Sequence, residues 1–349
     1  TIQSFGSDII DTDIAYQDGS NWEYRQSRTG GPAVEVNGGS LDIYYGNYSA
    51  AMGDGIRVKN GKVNIYNGTF IGADSYASQA GGIMAGAAAS YGFKLYGGAV
   101  NIYDGTFGYP KATDLAAGSG AFVMGTSASS KATANIYGGT FEVAGQAGFS
   151  VYQYVDVLFD EYGGEGGAGS EIYAKGFEAG MTVEYHVNSD NNTTITVKSG
   201  TFEGSGSSAF ANGIWYGEGT SQLTIEDGEF IGRVTSGLYF VTAPGTNRSP
   251  SNVQLYGGTY QGVAQRGYGY DGPFRDDYEY YYNGAIGATC SRNWIGSWSG
   301  VGADITVNEI LADGRTAVCS GGYISGNYDS GSTEMIGNSL AGANTITIS

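Results

Sequence analysis

Apolar and polar residues alternate strictly through short stretches of this chain, and one stretch is written three times. Residues 63–70 read VNIYNGTF, 100–107 read VNIYDGTF, and 134–141 read ANIYGGTF. Val63 and Ile65 alternate with Asn64 and Tyr66, the two-residue period of a strand with one buried face. Asn67-Gly68 is a turn dipeptide that tolerates positive φ. Thr69-Phe70 then opens a second short strand with its ring turned inward. A third run follows, as Gly55-Ile56-Arg57-Val58, Gly82-Ile83-Met84-Ala85, Gly120-Ala121-Phe122-Val123, Gly148-Phe149-Ser150-Val151 and Gly237-Leu238-Tyr239-Phe240. One unit is therefore strand, tight turn, strand, loop, strand.

Aligned on the glycine of the turn, the copies fall at Gly46, Gly68, Gly105, Gly139, Gly200, Gly228 and Gly258, with a degenerate copy, EIYAKGF, placed at Gly176. The steps average about 30 residues, a period that means a solenoid or a propeller. Propeller blades need four strands and about 40 residues, and the steps here are uneven, which a solenoid absorbs in its loops. The pattern predicts an all-β, single-domain parallel β-helix with about three strands per coil and about eleven coils. At about 4.8 Å per coil, that is a rod on the order of 50 Å long. Residues 1–38 form an N-terminal capping or assembly segment, 39–262 the regular coils, and 263–349 irregular coils and a terminal assembly strand. The interior is expected to be columns of like residues, such as Ile65/Ile102/Ile136/Ile225 and Phe70/Phe107/Phe141/Phe202/Phe230.

The I-Y-G-G-T-F unit resembles the repeats of right-handed parallel β-helix proteins of the pectin-lyase-like superfold, above all sheath, surface-layer, filament and adhesin proteins at the cell surface. The resemblance covers 39 to about 262. It implies the handedness and the fold, and it leaves function open, because this fold hosts both enzymes and structural proteins.

Composition narrows the function. Among 349 residues, 34 acidic side chains face 16 basic ones, for a net charge of -18. Such a chain cannot neutralise a run of phosphates, which argues against nucleic acid. No apolar run reaches the length of a membrane-spanning helix. The start at Thr1, without Met or a charged leader, suits a secreted product after signal removal. Sequons at Asn47, Asn67, Asn191, Asn192 and Asn247 are candidate N-glycosylation sites.

The polysaccharide-cleaving relatives carry signatures that can be compared with this chain. Arg57-Val58-Lys59 matches an Arg-x-Lys that could hold a carboxylate, but the paired aspartates Asp276-Asp277 are far along the chain. The single histidine, His186, lacks flanking glycines. Asp8, Asp11 and Asp13 read as solvated turn carboxylates, with an incidental structural calcium as the other reading. No catalytic residue, metal ligand or cofactor site is assigned, and the chain is read as a non-enzyme.

The outward positions say more. They stack into a polar column, Asp42/Asn64/Asn101/Asn135/Thr196/Thr224/Gln254, beside an aromatic one, Tyr44/Tyr66/Tyr103/Tyr137/Tyr256. A stripe of exposed tyrosine is a contact surface. Both termini look like strands without a cap: Thr1 and Ile2 at one end, Asn344, Thr345, Ile346, Thr347, Ile348 and Ser349 at the other. Unpaired strand edges invite pairing with another chain. Cys290 and Cys319 lie about one coil apart, a spacing that suits an intrachain disulfide; an interchain bridge is the alternative. The expected function is a self-assembling structural subunit of an extracellular filament, sheath or surface layer, its partner being itself. A carbohydrate-binding adhesin is the alternative, with a polysaccharide lyase or glycoside hydrolase behind it.

Overall fold

The computed structural model describes residues 32–50, 53–72, 91–109, 119–144, 146–164, 167, 169–183, 192–206, 211–216, 221–234, 236–240 and 253–262. It describes as backbone alone the strands Ile2–Ser4, Ile14–Asp18, Asn21–Arg25, Tyr278–Asn283, Ile286–Ser291, Thr306–Val307 and Gly342–Ile348, the rest of Gly258–Tyr270, and Tyr109, Phe240 and Val253. Among these residues the protein is all-β, with long parallel ladders and no α-helix.

Each repeat sends one strand to each of three ladders. The first ladder climbs from Val34 through Ile56, Phe93 and Ala121, and the second carries the V-N-I segments, with Ile65 paired to Ile43 on one side and Ile102 on the other. The third carries the T-F segments, in which Phe107 pairs with Phe70 and Phe141. Pairing a strand in parallel with its counterpart one repeat away, three times per repeat, fits a parallel β-solenoid. Between Val34 and Gly262 each ladder has eight described rungs. The ladders thus begin at Val34, slightly ahead of the expected boundary at 39.

The inward columns are as the repeat implied. Val63, Ile65, Val100, Ile102, Phe70, Phe107, Phe141, Phe202 and Phe230 are fully buried. Phe70, Phe107 and Phe141 stack with centroids 4.9 and 4.8 Å apart, the rung spacing itself. The seven aligned turn glycines, Gly46 to Gly258, hold φ between +103° and +149°, a region L side chains avoid, which is why Gly is written there. A second glycine column marks the corner entering the first ladder. A Cβ on Gly55 would lie 2.6 Å from the Gly92 carbonyl oxygen, and one on Gly120 would lie 2.6 Å from that of Gly148.

Two alignments differ from the sequence reading. Gly176 is not a turn glycine: Ile172 pairs with Gly139, and Gly176 pairs with Gly204 at the far end of the strand. EIYAKGF is therefore a T-F strand, and the V-N-I strand of that coil is Val155–Phe159, which pairs with Ala132–Ile136. The excursion between Phe159 and Ile172 displaced the apparent period. In the same way, the first-ladder strand after Ile71 is Phe93–Leu95, not the run at Gly82; residues 82–85 lie outside the described residues.

The ends are also more occupied than the sequence suggested. Ile2–Ser4 pairs in parallel with Tyr48–Ala50, and Gly342–Ile348 pairs antiparallel with Gly258–Ala264. Both terminal strands thus lie on the T-F ladder of their own chain, at opposite ends. Ile14–Asp18 and Asn21–Arg25 form a separate antiparallel hairpin.

Candidate assembly surface

On the V-N-I ladder the outward position after each first apolar residue pairs Asp42, Asn64, Asn101 and Asn135 in register. Their side chains bond along the axis. Asn64 Nδ2 donates to Asp42 Oδ1 at 2.7 Å, Asn101 Nδ2 to Asn64 Oδ1 at 2.9 Å, and Asn135 Nδ2 to Asn101 Oδ1 at 2.9 Å. Asn64 and Asn101 each use the carbonyl for one neighbour and the NH2 for the other, while Asn135 ends the row as a donor. Leu158 takes the following rung, before Thr196 and Thr224 resume the polar column.

The tyrosines stand beside this row. Tyr44 and Tyr66 stack at 4.9 Å and 6°, Tyr66 and Tyr103 at 5.0 Å and 5°, and Tyr103 and Tyr137 at 5.3 Å and 28°. Tyr44 is 62% exposed, Tyr66 37% and Tyr256 44%. Tyr103 was expected in the exposed stripe but is buried. Its two faces are covered by Tyr66 and Tyr137, and Ser170, from the excursion before Ile172, donates to its carbonyl at 3.4 Å. The stripe is also interrupted. The backbone N–H at this position bonds the coil before it in Tyr66, Tyr103, Tyr137, Asp160, Lys198, Glu226 and Tyr256 alike. Three charged residues thus separate Tyr256 from the other rings, with Lys198 Nζ 3.1 Å from Asp160 Oδ2. That hydrogen bond raises the Lys198 pKa.

The T-F ladder has a charged outer row that sequence reasoning missed. Glu142 pairs in register with Lys175, and Lys175 with Glu203. Tyr173 donates to Glu203 Oε2 at 3.0 Å, and Arg233 Nε donates to Oε1 at 2.9 Å. Burial alone would raise the Glu203 pKa, but the bonds from Arg233 and Tyr173 outweigh it and hold the carboxyl below its ordinary value. Burial and the same contact push the Tyr173 hydroxyl well above its ordinary value. The misplaced Gly176 alignment hid this row, because it put Tyr173 and Lys175 in the wrong strand.

The Arg-x-Lys element is engaged within the protein. Arg57 Nε donates to Asp54 Oδ2 at 2.7 Å, and Lys59 Nζ lies 2.9 Å from Glu35 Oε1. Asp54, buried, accepts the Tyr91 N–H at 3.0 Å through its other oxygen. Lys59 thereby ties adjacent coils, as does Arg57 with Nη1 3.7 Å from Glu35 Oε2. Asn47, Asn67 and Asn192 are exposed, and Asn67 Nδ2 donates to Asp104 at 3.1 Å. Asn191, Asn247, His186, Asp276, Asp277, Asp8, Asp11, Asp13 and Cys319 lie outside the described residues, so the cysteine pairing is untested; Cys290 falls in the strand Ile286–Ser291. Among the described residues no three His, Cys, Asp or Glu gather as a metal site, and no helix is long and apolar enough to cross a membrane. Comparison with family models, curated proteins and solved structures gives no match.

Proposed function

We propose that the chain is the structural subunit of an extracellular polymer, a filament, sheath or surface layer, built on a right-handed parallel β-helix of about eleven coils. The observation that carries this reading is how the outward side chains are used. Amides bond to amides and rings stack on rings along the solenoid axis, so the exposed rows are periodic with the coils. A periodic row can continue into another copy. On the first coil Asp42 accepts from Asn64 and Tyr44 is the most exposed ring of the stack, with no further ring on it among the described residues.

The stacking also bears on the adhesin alternative. Glycan platforms offer ring faces, whereas Tyr66 turns both faces to other tyrosines and Tyr103 is buried between two rings. A separate spot favours a ligand more: Lys94 Nζ lies 4.5 Å from the Tyr91 ring centroid and 4.7 Å from that of Tyr96, a cation over π faces. Loss of glycan-array binding on Lys94→Ala would support the adhesin.

In the polymer, the strand Gly342–Ile348 exchanges its own Gly258–Ala264 edge for that of a neighbour, since the backbone pairing is identical in either case. Cells export the subunit, its net charge of -18 keeps unassembled copies apart, and the exposed sequons Asn47, Asn67 and Asn192 carry any glycans. Deleting Asn344–Ser349 is the test. The truncated chain should fold with the same β content and polymerise poorly; truncated protein that assembles as well as the full chain would remove the C-terminal strand as connector.

A further inference from the structure

Tyrosine is the chain's most abundant aromatic residue, 29 of 349, while cysteine occurs twice, at positions 290 and 319. The first coils therefore have no disulfide available to join them. They have instead two phenols held ring to ring: Tyr44 and Tyr66, on successive rungs, with centroids 4.9 Å apart and planes within 6°. Both reach solvent, at 62% and 37% exposure. The rows behind them hold the pair in register, through the Tyr66 N–H bonded to the Ile43 carbonyl at 2.8 Å and the Asn64–Asp42 bond beside it.

We propose that Tyr44 and Tyr66 are a site of oxidative phenol coupling, which joins the first two coils by an intrachain dityrosine bond. The chemistry requires a one-electron oxidant, supplied by a haem peroxidase with hydrogen peroxide. Each phenol gives up one electron and its hydroxyl proton, and the peroxide is reduced to two waters. The two phenoxyl radicals form one carbon–carbon bond between the positions ortho to their oxygens. The two ortho hydrogens then move to the oxygens and restore both phenols. The product has lost two hydrogens overall.

Holding the partners in contact makes the coupling unimolecular, the advantage that proximity gives any bond-forming step. Coupling needs the rings to hinge from face-to-face toward edge-to-edge. Tyr44 is the ring able to do so, because among the described residues no ring stacks on its outer face. Tyr66 to Tyr103 is a less suitable pair, since Tyr103 is buried between two rings and cannot hinge freely. Tyr162 provides the internal comparison: it is 83% exposed, more than Tyr44, and among the described residues no aromatic ring faces it. Exposure alone favours Tyr162, whereas contact favours Tyr44 with Tyr66.

The experiment treats the dilute full chain with horseradish-type peroxidase and hydrogen peroxide, then measures dityrosine fluorescence and maps cross-linked peptides by mass spectrometry. The expected product is a single chain in which the peptide holding Tyr44 is joined to that holding Tyr66, two hydrogens lighter than their sum. Tyr44→Phe and Tyr66→Phe, which keep the rings and the stack, should each remove most of the intrachain fluorescence, and Tyr162→Phe should leave it unchanged. Undiminished intrachain fluorescence in both stack variants, or cross-links mapping to Tyr162 or to a second chain, would overturn the assignment. The outcome does not depend on whether the protein polymerises.

Discussion

Phe141 and Phe202 belong to one column of rings, and the rung between them holds Ala174. The missing ring is supplied from the other two ladders. Phe149 meets Phe141 edge-on at 5.2 Å, Phe159 meets Phe149 at 5.0 Å, and Phe202 meets Phe159 at 5.1 Å. The stack thus detours across the core and returns at Phe202, which lies flat on Phe230. Ala174→Phe should overfill this space and cost about 1–3 kcal/mol, as overpacking does. Adding Phe149→Ala should recover part of that loss, so the double variant unfolds in urea later than the sum of the single costs predicts. Strict additivity would contradict the detour.

Phe107 tests the uninterrupted part of the column. It is fully buried and lies between Phe70 and Phe141. Phe107→Ala should lower stability by about 3–5 kcal/mol in denaturant titration, the usual cost of emptying a buried Phe site. A loss under about 1 kcal/mol would mean that the column relaxes around the cavity.

Glycines of two kinds separate steric closeness from backbone conformation. A Cβ on Gly92 would collide with the Gly108 nitrogen and lie 2.8 Å from the Gly120 carbonyl oxygen, both backbone atoms that cannot swing away. Gly39 has φ +73° and nothing within 4 Å of its would-be Cβ. Gly39→Ala should therefore cost about 1–2 kcal/mol, the left-handed penalty alone. Gly92→Ala should cost more than about 4 kcal/mol or prevent folding, as forced backbone collisions do. Equal effects in thermal melts would deny that the corner is that tight.

The core was legible because its code is local. Val63-x-Ile65 and Thr69-Phe70 each state which face is buried, and the turn glycine fixes the register between them. What escaped the sequence were features set by insertions. The twelve-residue excursion after Phe159 made Gly176 look like a turn glycine and hid the Tyr173–Glu203–Arg233 cluster. The run at Gly82 imitated a first-ladder strand by composition, but Phe93–Leu95 takes that rung. Tyr44, Tyr66, Tyr103 and Tyr137 stack as the strand alternation suggests, but charged residues on the intervening rungs part Tyr256 from them, and no local pattern encodes the burial of Tyr103.

Glu203 gives a pH signature with a definite sign. Its folded pKa lies below the ordinary value, so its pairing stabilises the fold above the unfolded carboxylate pKa and is lost as pH falls through the folded one. Glu203→Gln should cost about 1–3 kcal/mol at neutral pH, the range of a charged hydrogen bond. The gap between variant and parent should close as pH falls below about 4. A gap of constant size from neutral pH to acid would show that shape, and not charge, makes the contact.

The proposed polymer requires side-chain rows and strand edges to continue from one copy of the chain to the next. Negative-stain electron microscopy of the concentrated full chain tests this most directly. The account predicts linear or sheet-like polymers many subunits long, formed without any other component. A field of separate short rods at every concentration and salt condition would contradict it.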